Sequence, residues 1–211
     1  MKILVTGGSG MVGKFLKRKL PNAIYLSSND CDLTKYDEVF YSWKIHKPDV
    51  VIHLAARVGG ILDNINYPAE YLEQNVLINT NVLNMSRKFN VGRFIGLLST
   101  CIYPDFVDEY PMTEEMLHNG APTATNIYYG YAKRLMALHI DAYNKQYGLN
   151  YQYLIPCNLY VKTDDKFKRP EELNYLRGDA TKIKNVLGWK PKYTFEEMID
   201  EMILYWMMEL K

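Results

Sequence analysis

Short apolar runs alternate with longer stretches in which apolar residues recur every three to four positions, up to about residue 160. The short runs predict strands at Lys2–Thr6, Ala23–Leu26, Val50–Leu54, Phe94–Leu98 and Tyr151–Ile155. The longer stretches predict helices at Val12–Leu20, Thr34–His46 with Thr34 as N-cap, Pro68–Phe89 and Tyr128–Tyr147. Strands that alternate with helices in this way indicate an α/β fold with a doubly wound parallel sheet, the Rossmann architecture.

The pattern changes after residue 160, where a mostly charged run without apolar periodicity predicts a linker. A short helix is expected at Asp179–Leu187, and the capping-box signature Thr194-Phe195-Glu196-Glu197 predicts the start of another. We therefore expect an α/β domain at 1–160 and a linker with a short helical segment at 161–211.

Composition and charge argue against several classes of protein. In 211 residues, 25 Lys and Arg balance 24 Asp and Glu, so no basic surface for nucleic acid is expected. Three cysteines without a Cys-x-x-Cys pair predict neither a disulfide framework nor a metal site. The sequence shows no apolar signal core at its start and no apolar run near the ~20 residues that span a bilayer. A cytoplasmic protein without a membrane partner is the expectation.

A glycine-rich turn connects the first predicted strand to the first predicted helix. Gly7, Gly10 and Gly13 are spaced three residues apart. Glycine lets the backbone turn sharply and approach a pyrophosphate, to which the helix N-terminus offers free N–H groups. The motif predicts a dinucleotide site at this turn. The alternative is a tight turn without a ligand.

The end of the second predicted strand indicates which dinucleotide is preferred. A carboxylate at this place would bind the ribose hydroxyls and reject a 2′-phosphate. The chain instead has Ser27 and Ser28, whose hydroxyls can donate to a phosphate, and no carboxylate before Asp30. NADP is therefore favoured over NAD. Asp32 and Leu33 follow and could contact adenine, although Asp32 could equally be a local turn residue.

Tyr129 and Lys133 lie one helical turn apart in the last long helix, so their side chains project from one face. A neighbouring ammonium and a nicotinamide cation would both favour the phenolate, which makes Tyr129 a proton donor or acceptor for a carbonyl/alcohol pair. Lys133 would also bind the nicotinamide ribose. Ser99, at the end of the fourth predicted strand, is placed to hydrogen-bond the same substrate oxygen. The alternative is a chance spacing in a chain with 18 tyrosines.

The motifs together resemble a known family. The glycine turn, His53-Leu54-Ala55-Ala56, Ser99 and the Tyr129-x-x-x-Lys133 pair are similar to the extended short-chain dehydrogenase/reductase family of nucleotide-sugar enzymes. Further segments resemble the GDP-L-fucose synthase family within it, namely Ala55–Ile61 with Asn64 and Tyr67-Pro68, Ser99–Pro104, Glu114–Gly120, Asn126–Lys133 and Pro156–Tyr160. The resemblance covers nearly all of residues 1–160.

The resemblance implies which residues contact cofactor and substrate. The implied NADP-binding residues are Gly7, Gly10, Met11, Val12, Gly13, Ser27, Ser28, Asp32, Leu33, Leu54, Ala55, Ala56, Tyr129, Lys133, Pro156, Asn158 and Leu159. The implied substrate contacts are Val58, Gly59, Gly60 and Asn158. The implied substrate is a GDP-linked 4-keto-6-deoxyhexose, and the two long helices would form a homodimer interface.

Cys101 is the fourth candidate catalytic residue, with Ser99, Tyr129 and Lys133. The 4,6-dehydratases carry an Asp-Glu pair after the serine-threonine, where this chain has Cys101-Ile102. A partly exposed thiol can remove a proton acidified by a neighbouring ketone. The resemblance therefore implies that Cys101 epimerises the sugar. The alternative is a small buried apolar residue, a common role of free cysteine.

The resemblance fails after Tyr160. There the family continues with a long stretch that supplies the histidine acid partner of the cysteine and basic residues for the GDP pyrophosphate. This chain instead passes to a tail similar to the GDP-mannose 4,6-dehydratase version of the superfamily. Basic residues of the charged run could touch phosphate, but a solvated linker is the better interpretation. His118, in the loop before the catalytic helix, is the one histidine expected near substrate.

Three hypotheses follow. The first is an NADPH-dependent epimerase/reductase of the fucose synthase type, with weak or absent epimerisation because the substrate lobe is short. The second is a catalytically idle NADP-binding remnant, or a partner of a complete homologue. The third is a reductase, epimerase or dehydratase that acts on another nucleotide sugar.

Overall fold

The computed structural model describes residues 1–156, 179–193 and residue 197. The chain divides into two compact units, Met1–Arg177 and Gly178–Lys211. The expected domain boundary near residue 160 falls outside the described residues and stays a prediction. The same holds for the helix expected from Thr194, of which Glu197 alone is described.

The first unit is built on a five-stranded parallel sheet with flanking helices. The strand order is β2-β1-β3-β4-β5, with β1 at Ile3–Thr6, β2 at Ile24–Leu26, β3 at Val50–His53, β4 at Arg93–Leu97 and β5 at Tyr151–Leu154. The helices are α1 at Met11–Lys19, α2 at Tyr36–His46, α3 at Ile61–Asn66, α4 at Pro68–Lys88 and α5 at Ile127–Tyr147. The predicted doubly wound parallel sheet is confirmed, and the predicted ends lie within two residues of the observed ones.

One local prediction was wrong, and one short helix was missed. Helix α2 begins at Tyr36 with Lys35 as N-cap, so Thr34 is not the cap. Asp32 Oδ1 accepts hydrogen bonds from both the Thr34 N–H and its hydroxyl, which holds Thr34 in the preceding turn. Helix α3 was not predicted, because six residues are too few to display a helical period.

The core brings α5 close to the sheet at β4. Leu4, Val51 and Phe94, one from each of three adjacent strands, are fully buried. A Cβ on Gly96 would lie 3.3 Å from Met136 and 3.4 Å from Ile140 of α5, so the missing side chain permits the close approach. The N-terminal turns of α5 are thereby placed at the carboxyl end of β4.

The sheet topology creates a crevice between β1 and β3. The chain passes from β1 to β2 on one side and returns to β3 on the other, so the loops that follow β1 and β3 diverge. Ligands of open α/β sheets bind in such a crevice at the carboxyl ends of the strands. The glycine turn after β1, the loop after β3 and the residues after β4 all lie at this edge.

In the second unit, the structure describes helix α6 at Thr181–Leu187, which ends at Gly188 in the left-handed conformation, as expected. Across the described ranges of both units, no helix has the length and apolar character needed to cross a membrane.

Candidate active site

The glycine turn after β1 forms a cradle that side chains would fill. Gly7 has φ +71°, and a Cβ there would lie 2.8 Å from the backbone nitrogen of Ala55. A Cβ on Gly13 would lie 2.5 Å from the Gly7 carbonyl oxygen. Gly10 is the N-cap of α1, so the free N–H groups of this helix open onto the turn. The arrangement fits a pyrophosphate, which binds backbone amides at close range.

A groove of about 430 Å³ runs from the glycine turn along the ends of β2 and β3. Many of the predicted cofactor residues line it, namely Gly7, Gly10, Ser27, Ser28, Asp32, Leu33, Leu54, Ala55 and Ala56. Met11 and Val12 start α1 beside Gly10, and Pro156 follows β5. Asn158 and Leu159 fall outside the described residues. The structure thus brings most of the predicted set into one groove, and adds Arg57, Gln74 and Ile78 to its lining.

At the end of β2, where the adenosine ribose is expected to bind, the hydrogen bonds of Ser27 differ from the expectation. Asp30 Oδ2 accepts hydrogen bonds from the Ser27 N–H at 2.8 Å and from the Ser27 hydroxyl at 2.6 Å. The hydrogen bonds from Ser27 lower the pKa of Asp30. The Ser27 donors are therefore already used, and Ser28 remains at the groove. Asp32 contacts Lys35 as well as Thr34, so it acts as the turn residue while it lines the groove.

The four predicted catalytic residues converge beyond the end of β4. Ser99 caps the 3-10 turn Thr100–Ile102, and its Oγ accepts the Cys101 N–H at 3.3 Å. The Tyr129 hydroxyl is hydrogen-bonded to Ser99. Lys133 Nζ donates to the Leu97 carbonyl, the last residue of β4, at 2.9 Å. Helix α5 therefore presents Tyr129 and Lys133 to the strand end that carries Ser99.

The surroundings of Tyr129 favour its protonated phenol over the phenolate. Burial raises the pKa of Tyr129, and the neighbouring Cys101 and Tyr71 raise it further, against the effect of the hydrogen bond to Ser99. Burial lowers the pKa of Lys133 to about 8. The expected stabilisation of the phenolate by Lys133 stays a prediction, because burial dominates the pKa of Tyr129 and the Lys133 ammonium donates to the Leu97 carbonyl. Tyr129 is consequently a neutral phenol at neutral pH.

Cys101 is half-buried, whereas Cys31 is buried and its pKa is raised to about 11, first by burial. A Cβ on Gly130 would lie 2.7 Å from the Cys101 carbonyl oxygen, so the first turn of α5 packs directly on the Cys101 peptide. The position is not that of a fully buried core residue. His118 is exposed at the end of the 3-10 turn Glu114–His118.

The predicted substrate contacts lie in the loop between β3 and α3. Val58 is exposed, and Gly60 is the N-cap of α3. A Cβ on Gly59 would collide with the Tyr71 hydroxyl, which donates a hydrogen bond to Asp63. The Tyr71 ring packs edge-on to Tyr129 with centroids 6.4 Å apart. Tyr71 carried no sequence signal, because an aromatic residue in α4 is typical of core packing.

A buried polar network links the cofactor side to the catalytic helix. The Thr6 hydroxyl and His53 Nδ1 are 2.7 Å apart, and His53 Nε2 is 3.1 Å from Asn79 Oδ1. Asn79 Nδ2 donates to the Ala132 carbonyl at 3.3 Å. Burial and the nearby Lys133 lower the pKa of His53 to about 3. His53 is fully buried and is the neutral centre of this network.

Two protein-family models match this chain. The family model described as NAD dependent epimerase/dehydratase family matches residues 3–175. A second model, described as GDP-mannose 4,6 dehydratase, matches residues 156–202. The second match confirms the expected likeness of the C-terminal tail to the dehydratase version.

Curated relatives are similar over the first unit. A GDP-L-fucose synthase of Dictyostelium discoideum is 41% identical over 170 residues, which are 77% of this chain and 53% of the relative. A probable GDP-L-fucose synthase of Drosophila melanogaster is 42% identical over 171 residues, which are 78% of this chain and 53% of the relative. The chain spans about half the length of these relatives.

Solved structures of nucleotide-sugar enzymes are similar to this chain in fold and sequence. A GDP-L-fucose synthetase from Naegleria fowleri bound to NADP has a TM-score of 0.68 and 38% identity, and the match covers 75% of this chain and 51% of that chain. MlghC, a GDP-mannoheptose C4 reductase from Campylobacter jejuni with NADP bound, has a TM-score of 0.70 and 29% identity over 75% of this chain and 52% of that chain. The chain therefore belongs to the NAD-dependent epimerase/dehydratase family, in its GDP-L-fucose synthase-like branch.

Proposed function

We propose that the chain is an NADPH-dependent reductase that acts on a GDP-linked 4-keto-6-deoxyhexose, with an attached epimerase activity in the manner of the GDP-L-fucose synthases. The observation that carries the proposal is the convergence of Ser99, Cys101, Tyr129 and Lys133 beside the glycine cradle. Because the chain spans about half the length of its relatives, the activity of the whole relatives is carried over as a proposal.

The groove supports the cofactor assignment. The cradle of Gly7, Gly10 and Gly13 would hold the pyrophosphate, and Lys133 would hydrogen-bond the nicotinamide ribose. NADPH, when bound, supplies a hydride to the carbonyl carbon. The preference for NADP over NAD draws on the relatives whose structures contain NADP and on the lack of a carboxylate at Ser27 and Ser28.

The proposed catalytic residues supply the proton that the substrate oxygen needs during reduction. As the carbonyl at carbon 4 becomes an alkoxide, Tyr129 donates its phenolic proton to that oxygen. The raised pKa of Tyr129 keeps this proton in place until an alkoxide develops. Ser99 hydrogen-bonds the same oxygen and orients it. The ammonium of Lys133 stabilises the phenolate that remains until solvent returns the proton.

Cys101 would carry the epimerisation. Carbons 3 and 5 flank the ketone, so their protons are acidified. The Cys101 thiolate takes up the proton from one face, and a partner acid donates its own proton to the other face. His118, the one histidine expected near substrate, is exposed on its 3-10 turn. We therefore expect reduction to be faster than epimerisation in this chain.

The two long helices support the proposal of a homodimer. Helices α4 and α5 pack against each other and expose apolar side chains on their outer surfaces, namely Leu72, Leu77, Tyr131, Leu135 and Leu138. A second copy, or a complete homologue, would bury this surface. Sedimentation of the purified chain measures the association directly.

The decisive experiment compares Tyr129→Phe with Tyr128→Phe, a matched loss of a hydroxyl from the exposed neighbouring tyrosine. NADPH oxidation with GDP-4-keto-6-deoxy-mannose is followed by absorbance. Tyr129→Phe should lower turnover by about 10² to 10⁴-fold, the usual contribution of a general acid, while Tyr128→Phe stays within about twofold. Full activity in Tyr129→Phe would refute the catalytic assignment.

The same assay separates the alternatives. A catalytically idle remnant binds NADPH in a fluorescence titration and turns over no sugar. An enzyme for another nucleotide sugar leaves this substrate untouched and oxidises NADPH with a different keto sugar, such as a GDP-linked keto-heptose. The likeness to a GDP-mannoheptose C4 reductase makes that substrate the first to try.

A further inference from the structure

Residues 103–123 form a long loop that begins next to Cys101 and returns to the start of α5. Its neck is closed by the Asp105 N–H, which donates to the Ala121 carbonyl at 2.9 Å. The Thr123 hydroxyl donates to Asp105 Oδ1 at 2.7 Å. The two ends of the loop are thus joined to each other directly.

Arg134 joins the same loop to the catalytic helix. It follows Lys133 on α5 and is 6% exposed, so its guanidinium is almost completely buried. Nε donates to the Ile102 carbonyl at 2.9 Å, and one terminal nitrogen donates to the same oxygen. The other terminal nitrogen donates to the Gly120 carbonyl at 2.8 Å. One planar group therefore binds both sides of the loop.

The position of Cys101 depends on these contacts. The Ile102 carbonyl that Arg134 holds belongs to the residue directly after Cys101. On the other side, the Cys101 carbonyl is packed on Gly130, where a Cβ would lie at 2.7 Å. The Cys101 peptide is therefore held at two consecutive carbonyls by one helix, which fixes the direction of its side chain.

We propose that Arg134 is a positioning residue that clamps the loop and sets the orientation and access of the Cys101 thiol. The role of the thiol in epimerisation rests on the proposed function, whereas the clamp rests on the hydrogen bonds alone. Lysine would keep the charge but has a single nitrogen, so it cannot reach both sides of the loop as the guanidinium fork does.

The test uses the full chain with Arg134→Lys and, as a matched control, Arg87→Lys, a helical arginine that stacks on Tyr143 and Tyr147 instead. The rate of carbamidomethylation of Cys101 by iodoacetamide is measured across pH by mass spectrometry, with buried Cys31 as internal reference. We expect Arg134→Lys to accelerate Cys101 modification about tenfold, with Cys31 and NADPH affinity within twofold. Arg87→Lys should leave all three within twofold.

Activity gives a second readout. In Arg134→Lys, the ratio of solvent-deuterium incorporation into the sugar to NADPH oxidation should fall at least fivefold, because proton abstraction needs the thiol in place and reduction does not. An unchanged Cys101 rate in a folded Arg134→Lys protein would overturn the clamp. A shifted thiol rate in a chain without turnover would instead retain the clamp and reject the proposed function.

A measurement on the unmodified protein covers the case in which the variant does not fold. Native-state hydrogen exchange should show the Tyr103 and Asp105 amides, bonded to Thr100 and Ala121, opening in one cooperative step. Exchange of Asp105 at least a hundredfold faster than Tyr103 would show that the two sides of the loop open separately, and would contradict the clamp.

Discussion

The two sides of the crevice are built by opposite means. The proposed cofactor side is made of backbone and of absent side chains, since Gly7, Gly10 and Gly13 leave the space that a pyrophosphate would take. The proposed catalytic side is made of buried ionisable side chains, with Lys133 and Arg134 hydrogen-bonded to carbonyl oxygens. Shape therefore defines the first side, and desolvated charge defines the second. Substitutions should damage the two sides in different ways.

The largest effect is expected from Gly13→Val, which places a side chain in the space of the proposed pyrophosphate cradle. Its Cβ would lie 2.5 Å from the Gly7 carbonyl and 2.7 Å from Gly8, both backbone atoms that cannot move aside. We expect loss of NADPH binding by more than about 100-fold and destabilisation of about 3 kcal/mol. Fluorescence titration and thermal unfolding measure the two effects.

Gly92→Ala is the control for Gly13→Val. Its Cβ would have an ordinary contact with the Asp49 carbonyl at 3.7 Å, so binding and stability should not change measurably. Retention of NADPH binding by Gly13→Val would show that the glycine turn is not the pyrophosphate cradle.

His53→Phe breaks the buried hydrogen-bond network that connects Thr6 to Asn79 and α5. It leaves the Thr6 hydroxyl and the Asn79 amide oxygen without their buried partner, which should cost about 2–4 kcal/mol in the free energy of unfolding at pH 7. The pKa of His53 is about 3 when folded and near 6.5 when unfolded, so the unfolded chain binds the extra proton. Stability of the native protein should therefore fall as the pH drops from 6.5 towards 3.

His53→Phe lacks the group that takes up this proton. The free energy of unfolding of the variant should therefore depend less steeply on pH than that of the native protein, and the two slopes should differ by up to about 1.4 kcal/mol per pH unit. Urea unfolding at several pH values measures the slope. Exposed His118→Asn should keep the native slope. An identical slope in His53→Phe and native protein would mean that His53 is not the group that titrates.

Lys133→Met tests the cost of desolvated charge on the catalytic side. Lys133 is 1% exposed, and burial lowers its pKa to about 8 from 10.5. The unfolded chain binds the proton more tightly, so native stability should rise as the pH increases from 8 to 10.5. Methionine removes the buried charge and should raise the free energy of unfolding at pH 7 by about 1–3 kcal/mol while activity is lost.

Lys145→Met, on an exposed position of α5, is the matched control and should leave stability within about 0.5 kcal/mol. Destabilisation by Lys133→Met at pH 7 would show that the hydrogen bond to Leu97 outweighs the desolvation of the ammonium.

The smallest effect is expected from Asp30→Asn, which tests whether the Asp30 charge weakens binding of the 2′-phosphate of NADPH. The Asp30 carboxylate occupies both Ser27 donors and places a negative charge at the end of β2. Its neutralisation should raise NADPH affinity about two- to fivefold and leave NADH affinity unchanged, since exposed charges interact weakly. The exposed Asp37→Asn should change neither affinity. Equal gains for NADPH and NADH would exclude an effect on the 2′-phosphate.

Local pattern was sufficient to predict the individual strands, the long helices and the glycine turn, whereas the strand order came from the structure. The β-branched run of β3, the periodicity of α4 and α5 and the glycine spacing are each contained within a few turns of chain, so their structure follows from neighbouring residues. The same holds for the spacing of Tyr129 and Lys133. Short helix α3 and the N-cap of α2 were missed, because side-chain hydrogen bonds of Asp32 moved the cap and six residues show no period.

The sequence by itself determined which strands, helices and glycines exist, because these depend on residues close together in the chain. Only the tertiary structure decided which contacts hold the proposed catalytic residues and their neighbours. Arg134 meets a carbonyl 32 residues away, Lys133 meets one 36 residues away, and His53 meets Asn79 26 residues away. Such pairs leave no periodic signal, and the pKa of Tyr129 depends on burial that arises only when α5 packs on β4.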